Sequence, residues 1–193
     1  MVRHYTGEPV PRVVLERIVR TVRRAPSGGF SQGQRLLVVT DEATRRAMGD
    51  VLGEGEWIAR GHEPWLAVAP AHIVVCAREQ DYHDRYTQPD KLALTGGTEI
   101  EWPVPFWFVD AGAAMMLLLL AALDEGLGAG VYGVTVEQRE PFKRLLGIPD
   151  DFWVVCGVTV GRAASDPRAS EASSRLTQRR RPLDEVVRWE RWS

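Results

Sequence analysis

The chain has 193 residues, 45% of them hydrophobic and 26% charged, with 24 Lys+Arg against 26 Asp+Glu and a net charge of −2. That is the size and composition of one folded domain with a sizeable core, and it argues against intrinsic disorder. A balance this close to neutral also argues against nucleic acid as a partner, because phosphate binding needs a basic surplus on one face.

The N-terminal stretch MVRHYTGEPVPRVV lacks the apolar core of a signal peptide, so the expected location is the cytoplasm. Pro11 then opens an amphipathic helix. Val14, Ile18 and Val22 share one face, Arg12, Glu16, Arg20 and Arg23 the other, and Ala25-Pro26 stops it. APSGGFSQGQ reads as a loop, Arg35 to Val39 as a strand, and Ala43, Ala47, Met48, Val51 and Leu52 recur at helical spacing. His72 to Ala77 is a second strand. From Arg78 to Trp107 the chain turns polar, aromatic and irregular, and a connection of that length in a compact domain is usually functional.

Asp110 is placed to cap a helix over Ala111 to Leu123, which is apolar all round. This run is short of the ~20 residues of a membrane span, so it reads as a helix buried in protein. The Gly126-Leu127-Gly128-Ala129-Gly130 run ends that helix, and a strand follows around Ala129 to Tyr132. Glu140-Pro141 opens a short helix with Phe142, Leu145 and Leu146 inside, and Phe152 to Val160 is a buried strand. Cys76 and Cys156 sit in apolar runs and read as buried free thiols, with no disulfide or zinc site. From 163 to 193 the chain becomes a Ser-, Ala- and Arg-rich arm ending in two tryptophans, which is expected to dock on its own domain or on a partner subunit. One domain over residues 1–193, arm included, is the expected organisation.

Few residues suit catalysis by protein groups alone. His4, His62, His72 and His83 are scattered, and neither a zinc-protease helix motif nor a phosphate loop occurs. No metal site is expected, and a cofactor is the better carrier of any reaction. The Gly-Leu-Gly-Ala-Gly run follows a helix rather than opening one, so it is no dinucleotide fingerprint. Arg3, the Arg179-Arg180-Arg181 run and the Pro26-Ser27-Gly28-Gly29 loop do offer cations and backbone donors to a phosphate-bearing planar group.

Taken in order, VRHYTGEPVP, RRAPSGGFSQGQ, LLVVTD, WFVDAGAAMMLLLLAALDEGLGAGVYGV, LLGIPDDFWVVCGVTVGR and RRRPLDEVV resemble the motif set of the nitroreductase family of flavin enzymes over nearly the whole chain. The resemblance implies an α+β fold, a central sheet flanked by helices, built as an intertwined homodimer with FMN sites shared between subunits. It implies that Arg3, Arg179 and Arg181 face the FMN phosphate. Pro26, Ser27 and Gly28 would pack on the flavin of the neighbouring subunit, with Gln32 at the ring edge. The backbone of Tyr132, Gly133 and Val134 would approach flavin N5, where donors stabilise the charge of reduction. The Met115-to-Leu120 run would be dimer core.

Three departures stand out. Met1 falls where the family has Ser, so two leading arginines are absent; Phe30 replaces an Asn; and Gly33-Gln34 replaces Pro-Trp. GF-x-Q and the terminal Leu-x-x-Val-Val are also similar to the cobalamin lower-ligand (dimethylbenzimidazole) synthase branch, which consumes reduced flavin with oxygen. The 78–107 segment would wall the open flavin face, with Tyr82, Tyr86, Trp102, Phe106 and Trp107 stacking a planar substrate and Arg85 and Lys91 meeting an anionic one. The implied activity is NADH- or NADPH-driven, alternating reduction of a small electron-poor acceptor such as a nitroaromatic or quinone. The alternatives are a flavin-sequestering protein without turnover, and a flavin enzyme whose partner is oxygen or a deazaflavin.

Overall fold

A computed structural model describes residues 1–165 and 180–192. Its strands are β1 (Gln34–Val39), β2 (Ala71–Ala77), β3 (Gly128–Tyr132) and β4 (Trp153–Gly161), forming one antiparallel sheet in the order β1-β2-β4-β3. The helices among the described residues are α1 (Arg12–Thr21), α2 (Glu42–Val51), α3 (Glu54–Ala59), α4 (Gln80–Tyr86), α5 (Pro89–Leu92), α6 (Phe106–Asp124), α7 (Val136–Leu146) and α8 (Leu183–Val186). The fold is therefore α+β, as the sequence implied.

The sheet separates two cores. Ala71, Ile73, Val75 and Ala77 of β2 point to one side with Val158 and Val160 of β4, where Leu15 and Ile18 of α1 and Ala111, Leu118 and Ala122 of α6 close over them. Val74 and Cys76 point to the other side, toward Met48 of α2 and Phe142 of α7. The period-2 alternation of a strand requires this division, and β2 lies so deep that all seven of its residues are buried. Burying each large aliphatic side chain there stabilises the fold by about 1.5–3 kcal/mol. Cys76 and Cys156 are buried free thiols, and burial pushes both up to about 11.

Four expectations need correction. The 78–107 segment is not irregular: Tyr82 and Tyr86 stand four residues apart on α4, and Pro89 opens α5. Asp110 does not cap the apolar helix, which begins at Phe106 behind Pro105, whose ring fixes φ at a value that suits a helix start. Asp110 lies in the second turn and is buried. That helix is not buried all round either. It has 19 residues, long and apolar enough to cross a membrane by length and composition, yet only a third of it is covered within the chain. Its Phe108, Val109, Met116, Leu120 and Leu123 are exposed. Finally, α7 starts at Val136, four residues before Glu140, because Thr135 and Gln138 form a reciprocal capping box, and Leu145 is exposed. The short helix α3 had no counterpart in the sequence reading.

Candidate functional site

The N-terminal segment is laid along the sheet edge by the bond from Val2 N–H to Ala129 O, 2.8 Å, and by the bridge between Tyr5 and Ala163. It can lie this close because position 130 is glycine: a Cβ there would stand 2.5 Å from Val2 O. So the Gly-rich run does more than end α6, a task that falls to Gly126 at φ +71°. The Tyr5 hydroxyl meets Thr159 Oγ1 at 2.7 Å, and burial pushes its pKa up to about 12.

This placement puts the Arg3 guanidinium over the Trp65 ring at 5.4 Å and the Trp57 ring at 5.9 Å, within reach of cation–π attraction. Arg3 thereby lines a cleft of about 240 Å³ with Trp57, Arg60, Trp65, Tyr132 and Gly133. Residues of the N-terminal motif and of the Val131–Val134 motif thus meet. Gly133 offers open backbone, since a Cβ there would meet nothing within 4 Å. Arg60 faces Glu56 at 3.6 Å, both largely exposed, a pairing worth little and readily exchanged for another anion. Trp57, Arg60 and Trp65 were missed in the sequence. Their one signal is the Trp-x-x-Arg spacing on α3, which puts both side chains on one helical face.

Trp65 and Leu66 bring the turn at 65–67 into the cleft lining, and that turn is fixed by side chains from three elements. Glu54 is buried and its carboxylate accepts N–H bonds from Trp65 (2.7 Å), Leu66 (2.6 Å) and Ala67 (3.0 Å). Arg45 donates to Ala67 O at 2.7 Å and to Ala69 O at 2.8 Å. His72, wholly buried, has Nε2 2.8 Å from Leu66 O and Nδ1 3.0 Å from Tyr132 Oη. A carbonyl can only accept, so Nε2 carries the proton and Nδ1 accepts from the Tyr132 hydroxyl. Burial depresses His72 to about 4 and holds Tyr132 well above the usual phenol range.

Pro26, Ser27, Gly28 and Gln32 lie elsewhere, on the loop leading into β1. Ser27 Oγ accepts from Gln32 N–H at 3.0 Å and keeps its own proton for donation. Gly28 N–H donates to Asp110 at 2.8 Å, and Asp110 also accepts the Tyr82 hydroxyl at 2.7 Å. The Gly29 carbonyl takes a bond from Arg85 at 2.9 Å. Gly29, Phe30 and Gln32 all have positive φ, and Phe30 is exposed. The glycines are required by α4: a Cβ at Gly29 would come within 2.6 Å of the Tyr86 ring, and one at Gly33 within 2.4 Å of the Tyr82 ring. The cleft belongs to the β3 edge and this loop to the β1 edge, with two strands between them. At about 4.8 Å per strand that is some 14 Å. One chain does not bring the two sets together.

The aromatic residues of the 78–107 segment mostly pack on one another. Tyr82 is fully enclosed, its ring against the loop and its hydroxyl on Asp110, so it has no face for a substrate. Trp107 is 8% exposed, with Nε1 lacking a hydrogen-bond partner. Tyr86, Trp102 and Phe106 are half-buried, with Trp102 4.6 Å from Tyr86 between centroids and Lys91 Nζ 4.9 Å from the Tyr86 ring. Glu99 joins this group through Trp102 Nε1 at 2.7 Å and His83 Nδ1 at 2.6 Å. Burial pulls His83 down, but Glu99 and Glu79 outweigh it and hold it above its ordinary value. Val134 is half-buried beside the cleft without lining it, Arg181 is exposed ahead of α8, and Arg179 lies outside the described residues. Trp189 and Trp192 of the arm are 80% and 86% exposed.

Comparison with known proteins bears on the family and the fold. The nitroreductase family model matches residues 1–162. The chain is 28% identical over 178 residues to the FMN reductase (NAD(P)H) of Bacillus subtilis, covering 86% of this chain and 65% of that protein. It is 27% identical over 168 residues to the oxygen-insensitive NADPH nitroreductase of Salmonella typhimurium, covering 86% and 63%. It thus spans less than two thirds of the length of either protein. Among solved structures, the FMN-dependent nitroreductase of Clostridium difficile superposes with a TM-score of 0.71 at 19% identity, covering 99% of this chain and 94% of that one. The NADPH:FMN oxidoreductase of Vibrio harveyi, complexed with NAD+, gives 0.71 at 20% identity, covering 100% and 74%.

Proposed function

The chain belongs to the nitroreductase family, and from that premise we propose that it is an FMN-dependent NAD(P)H oxidoreductase whose acceptor is a small electron-poor molecule such as a nitroaromatic or quinone. The observation that carries this reading is the cleft in which Arg3 meets Tyr132 and Gly133. The residues present fit a flavin. Two indoles wall the cleft, two guanidiniums supply positive charge, and the open backbone at Gly133 admits close approach of a planar ring.

When bound, FMN supplies two-electron transfer between a nicotinamide and an acceptor. The chain's own residues bind and orient. Arg3 and Arg60 meet the anionic groups of the cofactor, and Gly133 presents its backbone to the ring. Ser27, with its free hydroxyl proton, and Pro26, Gly28 and Gln32 contact the cofactor of a second copy. Arg181 reaches the phosphate from the arm. Tyr86, Trp102 and Phe106 keep partly open faces that suit a flat acceptor.

Three features support a homodimer. The cleft volume is below the roughly 300–1,000 Å³ of a complete small-molecule site. The loop that should finish it sits at the other sheet edge. The exposed row Val109, Met116, Leu120 and Leu123 on α6 asks for cover by a second copy. Domain organisation is one unit, with 163–193 as an arm that docks on the other subunit through Trp189 and Trp192.

The test is an anaerobic absorption spectrum of the purified protein with FMN, before and after NADH or NADPH. Bound flavin that bleaches with either nucleotide, and recovers on adding a quinone, supports the reading. Binding without bleaching overturns the NAD(P)H oxidoreductase assignment in favour of sequestration, or of an oxygen or deazaflavin partner. Replacing Leu120 by Glu should give a monomer by sedimentation and abolish FMN binding; a monomer with unchanged FMN affinity would remove the shared-site proposal.

A further inference from the structure

The Tyr132 side chain follows an unusual path. It starts on β3, passes over β4 and ends on His72 of β2, and it can do so only because its β4 partner in register is Gly157. A Cβ at 157 would stand 1.9 Å from Tyr132 Cζ. At about 4.8 Å per strand, the Tyr132 and His72 side chains together bridge two strand spacings. On its far side His72 donates to Leu66 O, in the turn whose Trp65 and Leu66 also line the cleft.

Both backbone groups of Leu66 and of Ala67 are held by buried or half-buried side chains: the N–H groups by Glu54, Leu66 O by His72 and Ala67 O by Arg45. The backbone of Leu66 and Ala67 therefore has no free polar group with which to adjust, and its hydrogen-bonded link to Tyr132 runs through one imidazole, beside the edge-on contact of the Trp65 and Tyr132 rings at 6.3 Å. The proton order is fixed throughout, Tyr132 to Nδ1 and Nε2 to Leu66 O, because the carbonyl only accepts. A side chain that stays neutral throughout the physiological range keeps that order, and burial does this for His72.

We propose that His72 and Tyr132 form a positioning couple that sets the separation of the two cleft walls, so that a planar cofactor finds the Gly133 backbone and the 65–67 turn already in register. The inference rests on the flavin reading of the cleft. His72 does not line the cleft, and it acts through Tyr132 and Leu66. Preorganisation of this kind acts on affinity and on the properties of the bound ring, because the ordering of the walls is complete before binding.

Tyr132→Phe keeps the ring over Gly157 and removes the hydroxyl. FMN affinity, read by fluorescence titration, should fall roughly fivefold, the factor that one net hydrogen bond supplies. The midpoint potential of the bound flavin should shift with it, and in a double-mutant cycle with His72→Phe the two changes should not multiply. Unchanged affinity and potential, with only a lowered unfolding midpoint, would overturn the proposal, as would fully multiplicative effects. Where His72→Phe does not fold, hydrogen exchange at the Leu66 amide in FMN-free Tyr132→Phe decides: it should accelerate, and unchanged exchange would overturn the coupling. That measurement needs no cofactor, so absence of FMN binding by the unaltered protein would sink the flavin reading while leaving the coupling separately decided.

Discussion

The cleft at the β3 edge and the loop at the β1 edge are both rigid, by different means. In the cleft, buried polar groups hold backbone: Glu54 takes three N–H groups, Arg45 two carbonyls and His72 one. In the loop, shape dominates. Gly29 and Gly33 lie against the rings of Tyr86 and Tyr82, with Asp110 and Arg85 adding one bond each to the backbone. A polar brace gives direction and is sensitive to protonation, whereas a glycine-on-ring contact is sensitive to a single added carbon. The two halves should therefore fail under different perturbations.

The largest expected effect separates them by pH. His72 is depressed from 6.5 to about 4 in the fold. Between those values the unfolded chain binds a proton that the native chain refuses, so stability is present above pH 6.5 and drains away as pH falls toward 4, by about 3 kcal/mol in all. Urea midpoints at pH 7 and pH 4.5 measure this, and His72→Phe should flatten the slope. Next comes Gly157→Ala, which drives a methyl into the Tyr132 ring and should destabilise by about 2–3 kcal/mol while disrupting the cleft. FMN titration and urea unfolding together would show both losses.

Gly33→Ala is the matching change in the loop, where the new Cβ meets the enclosed Tyr82 ring and, at 2.8 Å, the Arg78 carbonyl. A loss of about 1–2 kcal/mol is expected, with hydrogen exchange rising around residues 28–34 and not at Leu66. Exchange rising equally at both would show that the halves are one cooperative unit. The smallest effect belongs to Tyr82→Phe, which leaves Asp110 its bond from Gly28 and should lower stability by about 1 kcal/mol in urea unfolding.

Much of this was legible in the chain. The four strands, α1, α2 and the C-terminal end of α6 follow from periodicity and from Gly and Pro punctuation. The APSGGFSQGQ and VYGV segments stood out as motifs, and Arg3 was singled out at the N-terminus. What the motifs did not show was the purpose of their glycines. Gly33 makes room for Tyr82, 49 positions on, and Gly157 for Tyr132, which is paired with it across the sheet. Nor did the aromatic content of 78–107 reveal that Tyr82 is a packing platform rather than a substrate contact. An enclosed ring and an open one have the same letter.

By itself, the sequence determined the four strands, the longer helices and the family pattern, because helix and strand periods, caps and turn residues act over a few neighbouring positions. Tertiary structure alone decided which residues share the cleft. Trp57 and Arg60 join Arg3 because the N-terminal segment lies along the β3 edge, and His72 reaches Tyr132 because the strand order puts one glycine between them. Those meetings depend on sheet order and on close approach between distant segments, which no spacing along the chain encodes.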